Sequence, residues 1–156
     1  MSDFILRPAV AADAPAVVAL LRELAAYEKL LDRFSLDEAA VTRDMLGDAC
    51  RCDLAFSGQQ PVGVVTWFWT YKSFGARRGL FVEDMYVRPD FRGRGLGRTL
   101  LAHLAAKAHA AGGFLEWQVL DWNAPSIAFY KSLGAKPVEQ WRNYRLEGEG
   151  LERLVS

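Results

Sequence analysis

Apolar residues recur at helical spacing near the start of the chain. Val17, Leu20, Leu21 and Leu24 fall on one face of a helix that continues toward Tyr27, with Asp13 placed to cap it. Before it, residues 4–8 read as a short strand. A second helix is expected from the capping-box pair Ser35 and Glu38, backed by Leu36, Val41, Met45 and Leu46, running to about Gly47. The pattern then changes period. Residues 52–56 and 61–71 are rich in Val, Thr and aromatics and flank the turn residues Ser57, Gly58, Gln59 and Gln60, which predicts a hairpin. Residues 79–87 supply a further central strand.

From Gly95 the helical period returns, with Leu96, Leu100, Leu101, Leu104 and Ala108 on one face and Gly112 and Gly113 as a stop. Residues 114–120 read as the next strand, Asn123 caps a short helix that tolerates Pro125 in its first turn, and residues 136–146 hold two short strands around Trp141. The predicted order is β-α-α-β-β-β-α-β-α-β-β, an α/β fold. No repeat, low-complexity stretch or linker interrupts it, so residues 1–156 are expected to form a single domain.

Length agrees, since 156 residues match one domain on the usual scale of roughly 100 to 200. Hydrophobic residues at 51% and charged residues at 24% suit a globular core. Nineteen basic residues balance nineteen acidic ones, so no global field drives binding to nucleic acid or an anionic membrane. No apolar run reaches the roughly 20 residues that span a bilayer, and no basic segment precedes an apolar one near Met1, so a cytoplasmic protein is expected. Cys50 and Cys52 stand too close for an ordinary disulfide, and with two His they form no familiar zinc spacing. No metal site is expected.

The most informative segment runs from Val87 to Arg98 and places Gly93, Gly95 and Gly97 at the join of a strand and a helix. Glycine there lets backbone N–H groups approach a ligand, and the helix start adds unpaired donors and partial positive charge. Such a join cradles a phosphate or pyrophosphate, with Arg92, Arg94 and Arg98 adding full charge; a solvated glycine-rich turn is the plainer alternative. The loop ends Gly97-Arg98-Thr99, without the Lys of a nucleotide-hydrolysing P-loop. Arg98 also stands where a dinucleotide fingerprint needs its third glycine.

The spacing of Arg92, Gly95 and Gly97 instead resembles the pyrophosphate loop of the GCN5-related N-acetyltransferases (GNAT). Within that superfamily the chain is similar to the diamine (spermidine/spermine) and thialysine acetyltransferase branch. Glu-Leu-Ala-Ala-Tyr-Glu at 23–28, Val-Glu-Asp-Met-Tyr-Val at 82–87 and Asp-Trp-Asn-Ala-Pro-Ser-Ile-Ala-Phe-Tyr-Lys at 121–131 carry that likeness. The resemblance implies a mixed, mostly antiparallel central sheet flanked by helices. It also implies acetyl-CoA as co-substrate and a primary amine of a small cationic molecule, a polyamine or a thialysine-like amino acid, as acceptor. The amine would attack directly in a ternary complex. Members of this kind are usually homodimers, which makes a homodimer the expected assembly.

By the same resemblance, Tyr130 protonates the departing thiolate, and Glu83 is the substrate-side base. Met85, Tyr86 and Val87 offer backbone groups to the acetyl and pantetheine portion, with the Met85 N–H as oxyanion donor. Arg92, Gly93, Arg94, Gly95, Leu96, Gly97 and Arg98 hold the pyrophosphate, while Asn123, Ala124, Pro125 and Ser126 meet the coenzyme arm. Tyr27, Glu28, Glu83, Asp84, Glu116, Trp117 and Gln118 line the amine site. Each has a plainer alternative: Tyr130 a core aromatic, Glu83 an exposed edge or ion-pair residue, Asn123 only a helix cap, Glu116 a solvated strand residue. In the residues themselves, adjacent Glu83 and Asp84 interrupt an apolar strand, so either the strand bends there or a cation is received there. A domain that binds acetyl-CoA as a sensor without turnover and a protein-lysine acetyltransferase are the other functional readings.

Overall fold

A computed structural model gives the architecture and describes residues 3–47 and 49–156. The chain divides into two compact units, Met1–Leu120 and Asp121–Ser156.

The first unit is built on five strands: β1 (Ile5–Pro8), β2 (Arg51–Ser57), β3 (Gln60–Lys72), β4 (Arg77–Val87) and β5 (Phe114–Trp117). They lie in the order β1-β2-β3-β4-β5, antiparallel except for the parallel β4–β5 pair. Helices α1 (Ala14–Tyr27) and α2 (Glu38–Asp44) cover one face, where Val17, Leu20, Leu21, Leu24 and Val41 pack with Cys52, Leu54, Val64 and Tyr86. Helix α3 (Leu96–Ala110) covers the other, where Leu96, Leu100 and Leu104 pack with Ala55, Val65, Trp67, Leu80 and Val82. Every apolar position that predicted α1 and α3 is buried, because the 3.6-residue period aligns them on one stripe. A mixed, mostly antiparallel sheet flanked by helices is therefore the fold.

Four local expectations are corrected. Asp13 precedes α1, yet its carboxylate accepts the Val10 N–H (2.8 Å) and a forked pair from Arg7 (2.6 and 2.9 Å) instead of capping the helix. Helix α2 is capped by Asp37, whose Oδ1 accepts the Ala40 N–H at 2.8 Å. Ser35 is two residues too early for this role, and the helix stops at Asp44 because Leu46 turns to bridge Arg51. Strand β5 ends at Trp117, because its ladder with β4 runs only from Gly79 to Val82.

The second unit holds α4 (Ala124–Ser132) and α5 (Glu149–Val155). Residues 136–146 form no strand: they are exposed throughout, Trp141 at 80% and Tyr144 at 93%, and a strand persists only with a hydrogen-bonded neighbour. The helix at 149–155 was not anticipated from the sequence pattern.

Candidate functional site

Strand β4 carries the irregularity that shapes the site. Thr66 pairs with Asp84 and Trp67 with Val82, so Glu83 is an extra residue with no partner opposite it on β3, a β-bulge. Val82 packs on the α3 face while Asp84 bonds Thr66 and Tyr86 packs on the α1/α2 face, so strict alternation fails at Glu83. Burial pushes the Cys50 thiol up, and the charges of Asp84 and Glu83 add to it. The expectation of a bent strand at this pair holds.

Asp84 is the better buried of the two. Its Oδ2 accepts the Thr66 hydroxyl at 2.6 Å, and its N–H donates to Thr66 Oγ1 at 3.0 Å. Burial pushes its carboxyl above the usual carboxylate range, partly offset by the Thr66 hydrogen bond. Glu28, at the C-terminal end of α1, is also raised, first by burial and then by the charge of Asp84. These two line a cavity of about 660 Å³ bounded by the end of α1, the segment from Leu30 to Leu36 and the start of α2. A negative pole with raised proton affinity, inside a cavity with apolar walls at Leu21, Leu24 and Phe34, suits an ammonium group.

Beyond Val82, the edge of β4 that faces away from β3 has no strand neighbour among the described residues. The Arg88 N–H bonds the Val62 carbonyl (3.0 Å) and the Asp84 N–H also points to β3, so antiparallel alternation turns the Met85 N–H toward the open edge. The Val87 carbonyl points the same way, accepting Arg92 Nε at 2.8 Å. The glycine loop follows. Gly93 and Gly95 take φ of +71° and +81°, a region that suits glycine, and α3 starts at Leu96 with no side chain capping it. Its first internal bond, from Thr99 N to Gly95 O, leaves the N–H groups of Leu96, Gly97 and Arg98 as free helix-start donors. This donor set fits the pyrophosphate of acetyl-CoA.

The arginines are less uniform than their spacing suggests. Arg92 folds back over Tyr27 (5.4 Å to the ring centroid) and Tyr86 (5.5 Å), so one face of Tyr27 already meets a cation. Arg94 lies over Phe4 and Phe91 and reaches Asp3 at 3.6 Å. Arg98 is exposed. Arg88 forms a fork with Glu23 (2.9 and 3.2 Å); burial raises the Tyr86 phenol, and Glu23, which accepts from it, raises it further. That network ties the end of β4 to α1.

Glu116 and Trp117 lie half-buried at the end of β5, opposite Phe81 and Val82; Gln118 is exposed just past the strand. In the second unit, Asn123 is buried and caps α4 by accepting the Ser126 N–H at 3.4 Å, and Ala124, Pro125 and Ser126 form the first turn. Tyr130 sits half-buried on the same helix, its ring 5.6 Å from that of Phe129. Sequence reasoning missed Thr66 and Arg33. A Thr inside a β-rich run and an Arg in a short connection carry no chemical signature until the fold sets them beside Asp84 and the cavity.

Comparison with known proteins assigns the chain to a class of acyl-transferring enzymes. The model of the "Acetyltransferase (GNAT) family" matches residues 17–135. A thialysine N-epsilon-acetyltransferase from Sus scrofa is 32% identical over 169 residues, covering 99% of each chain. A spermidine/spermine N(1)-acetyltransferase-like protein 1 from Homo sapiens is 34% identical over 97% of this chain and 24% of its own length. Among solved structures, an integron cassette protein from V. cholerae superposes with a TM-score of 0.84 at 22% identity over 99% of each chain, a likeness of fold. The chain belongs to the GNAT family and is an N-acetyltransferase.

Proposed function

We propose that the protein transfers the acetyl group of acetyl-CoA to a primary amine of a small cationic acceptor, a polyamine or a thialysine-like amino acid, by direct attack in a ternary complex. The observation that carries this reading is the pair Glu28 and Asp84 in one cavity, together with an open strand edge and an uncapped helix start suited to the co-substrate. Printed names of relatives acting on thialysine and spermidine/spermine support the acceptor class.

Acetyl-CoA supplies the acyl group as a thioester. Glu28 and Asp84 draw in the ammonium, and Glu83 takes a proton from it, directly or through a water, to free the nitrogen lone pair. The Met85 N–H holds the oxyanion as the C–N bond forms. Tyr130 gives its proton to the sulfur as the C–S bond breaks and recovers one from the proton that the new amide nitrogen sheds; a phenol of pKa about 10 stays protonated at neutral pH. Tyr86 and Val87 present backbone to the pantetheine arm, residues 92–98 hold the pyrophosphate, and Asn123 to Ser126 meet the coenzyme. Tyr27, Glu116, Trp117 and Gln118 complete the amine side. A homodimer, supported by the exposed apolar residues Val138, Trp141, Tyr144 and Leu146, and a cytoplasmic location belong to the same proposal.

Thiol release measured with a panel of amines at fixed acetyl-CoA tests the reading. Release with small polyamines or amino acids bearing side-chain amines is expected. Tight acetyl-CoA binding with no release on any amine would establish a sensor instead. Tyr130→Phe is expected to lower kcat by about 100-fold while leaving the acetyl-CoA Kd within about twofold; unchanged turnover removes its role.

A further inference from the structure

Basic side chains also line the cavity. Its charged lining comprises Glu28, Asp37 and Asp84 on the acidic side and Arg33 and Arg43 on the basic side. Two of the five are already committed. Asp37 caps α2 through the Ala40 N–H, and Arg43 is held by Asp44 at 2.6 Å. That leaves the acid pair, Glu28 and Asp84, and one guanidinium, Arg33, which has no ion-pair partner among the described residues. Arg33 sits at the end of the short turn Leu31–Arg33 and is exposed, while its neighbour Phe34 is held under the guanidinium of Arg22 at 4.8 Å.

Arg33 is set apart from the acid pair. It stands on the turn Leu31–Arg33, whereas Glu28 ends α1 and Asp84 lies on β4, and although all three line the cavity no ion pair joins Arg33 to either carboxylate. The cavity therefore has two separated poles of opposite sign. A dicationic acceptor satisfies the acid pole and brings its second ammonium into a space that also holds an uncompensated guanidinium. An acceptor with a carboxylate at its far end satisfies both, since arginine binds a carboxylate through two parallel charge-assisted hydrogen bonds.

Resting on the acetyl-transfer reading, we propose that Arg33 is a specificity-determining residue that selects an amino acid with a side-chain amine over the diamine lacking its carboxylate. The reacting amine lies at Glu28 and Asp84 and the carboxylate at Arg33. Arg43 contributes less, because Asp44 already matches its charge.

Lysine and cadaverine differ only by the carboxylate, as do ornithine and putrescine, so each pair isolates the contribution of Arg33. The measurement is kcat/KM for both members of each pair in the wild type, Arg33→Gln, Arg33→Lys and Arg43→Gln. The wild type is expected to favour the amino acid. In Arg33→Gln the amino-acid/diamine ratio falls about tenfold or more, with the amino acid losing and the diamine gaining. Arg33→Lys restores part of the ratio, since it keeps the charge without the fork, and Arg43→Gln shifts it less than Arg33→Gln does. An unchanged ratio, a parallel loss for both acceptors, or an effect confined to the KM for acetyl-CoA overturns the proposal in an active enzyme. Silence of the wild type with every amine overturns the transfer reading itself, and this proposal with it.

Discussion

At the scale of single residues, the chemistry turns on how much an acid is allowed to remain an acid. Asp84 is raised by burial and steadied by the Thr66 hydroxyl, and Glu28 is raised by burial and by Asp84. If the acceptor binds as an ammonium, both carboxylates must be ionised, so amine kcat/KM is expected to rise with pH along a limb above the ordinary carboxylate range. Thr66→Val removes the bond that favours the charged form and is expected to move that limb to higher pH; a limb that does not move separates Asp84 from amine binding. Stability carries the opposite sign. A carboxyl raised in the folded state binds more protons there than in the unfolded chain, so its favourable contribution is complete below the unfolded value and is lost as pH climbs through the folded one. Asp84→Asn is therefore expected to gain stability relative to the wild type as pH rises across that window, read from urea midpoints at several pH values. The sequence exposed Glu83 and Asp84 because charge in an apolar strand is conspicuous. Thr66 and Arg33 are ordinary residues in ordinary places, and only strand pairing and cavity shape give them a role.

At the scale of elements, periodicity was read well and boundaries less so. Helices α1 and α3 follow from their apolar stripes, whereas Ser35 and Asp37 both precede helical sequence and only backbone geometry decides between them. Asp37→Ala is expected to cost about 1 kcal/mol in denaturant unfolding, and Ser35→Ala far less; equal losses would reinstate Ser35 as the cap. In the glycine loop, a Cβ at Gly95 would meet open space, so its requirement is conformational. Gly95→Ala at φ +81° is expected to cost about 1–2 kcal/mol and to weaken acetyl-CoA binding, which calorimetric titration would show. The early end of β5 was not legible, because it is caused by an irregularity in its neighbour.

At the scale of the whole molecule, a net charge of zero conceals a local excess of positive charge. The helix-start loop gathers Arg92, Arg94 and Arg98, whereas the cavity is lined by both signs, Glu28, Asp37 and Asp84 with Arg33 and Arg43; Arg88 is held by Glu23. The expected strands at 136–146 failed for a reason that lies outside local pattern, since a β-prone segment without a neighbouring strand forms no ladder and stays exposed. If a second copy covers it, light scattering is expected to give twice the chain mass for the native protein and a smaller mass for a Trp141→Ser, Tyr144→Ser double variant.

The extra residue in β4 has one more consequence. Val82 and Asp84 already stand opposite adjacent partners on β3, and every side chain on either side of Glu83 keeps the face that an uninterrupted strand would give it. Excising Glu83 would thus leave the pleat in phase and let the seam close, so the shortened chain is expected to keep its urea midpoint and, on the role proposed for Glu83, to lose acetyl transfer.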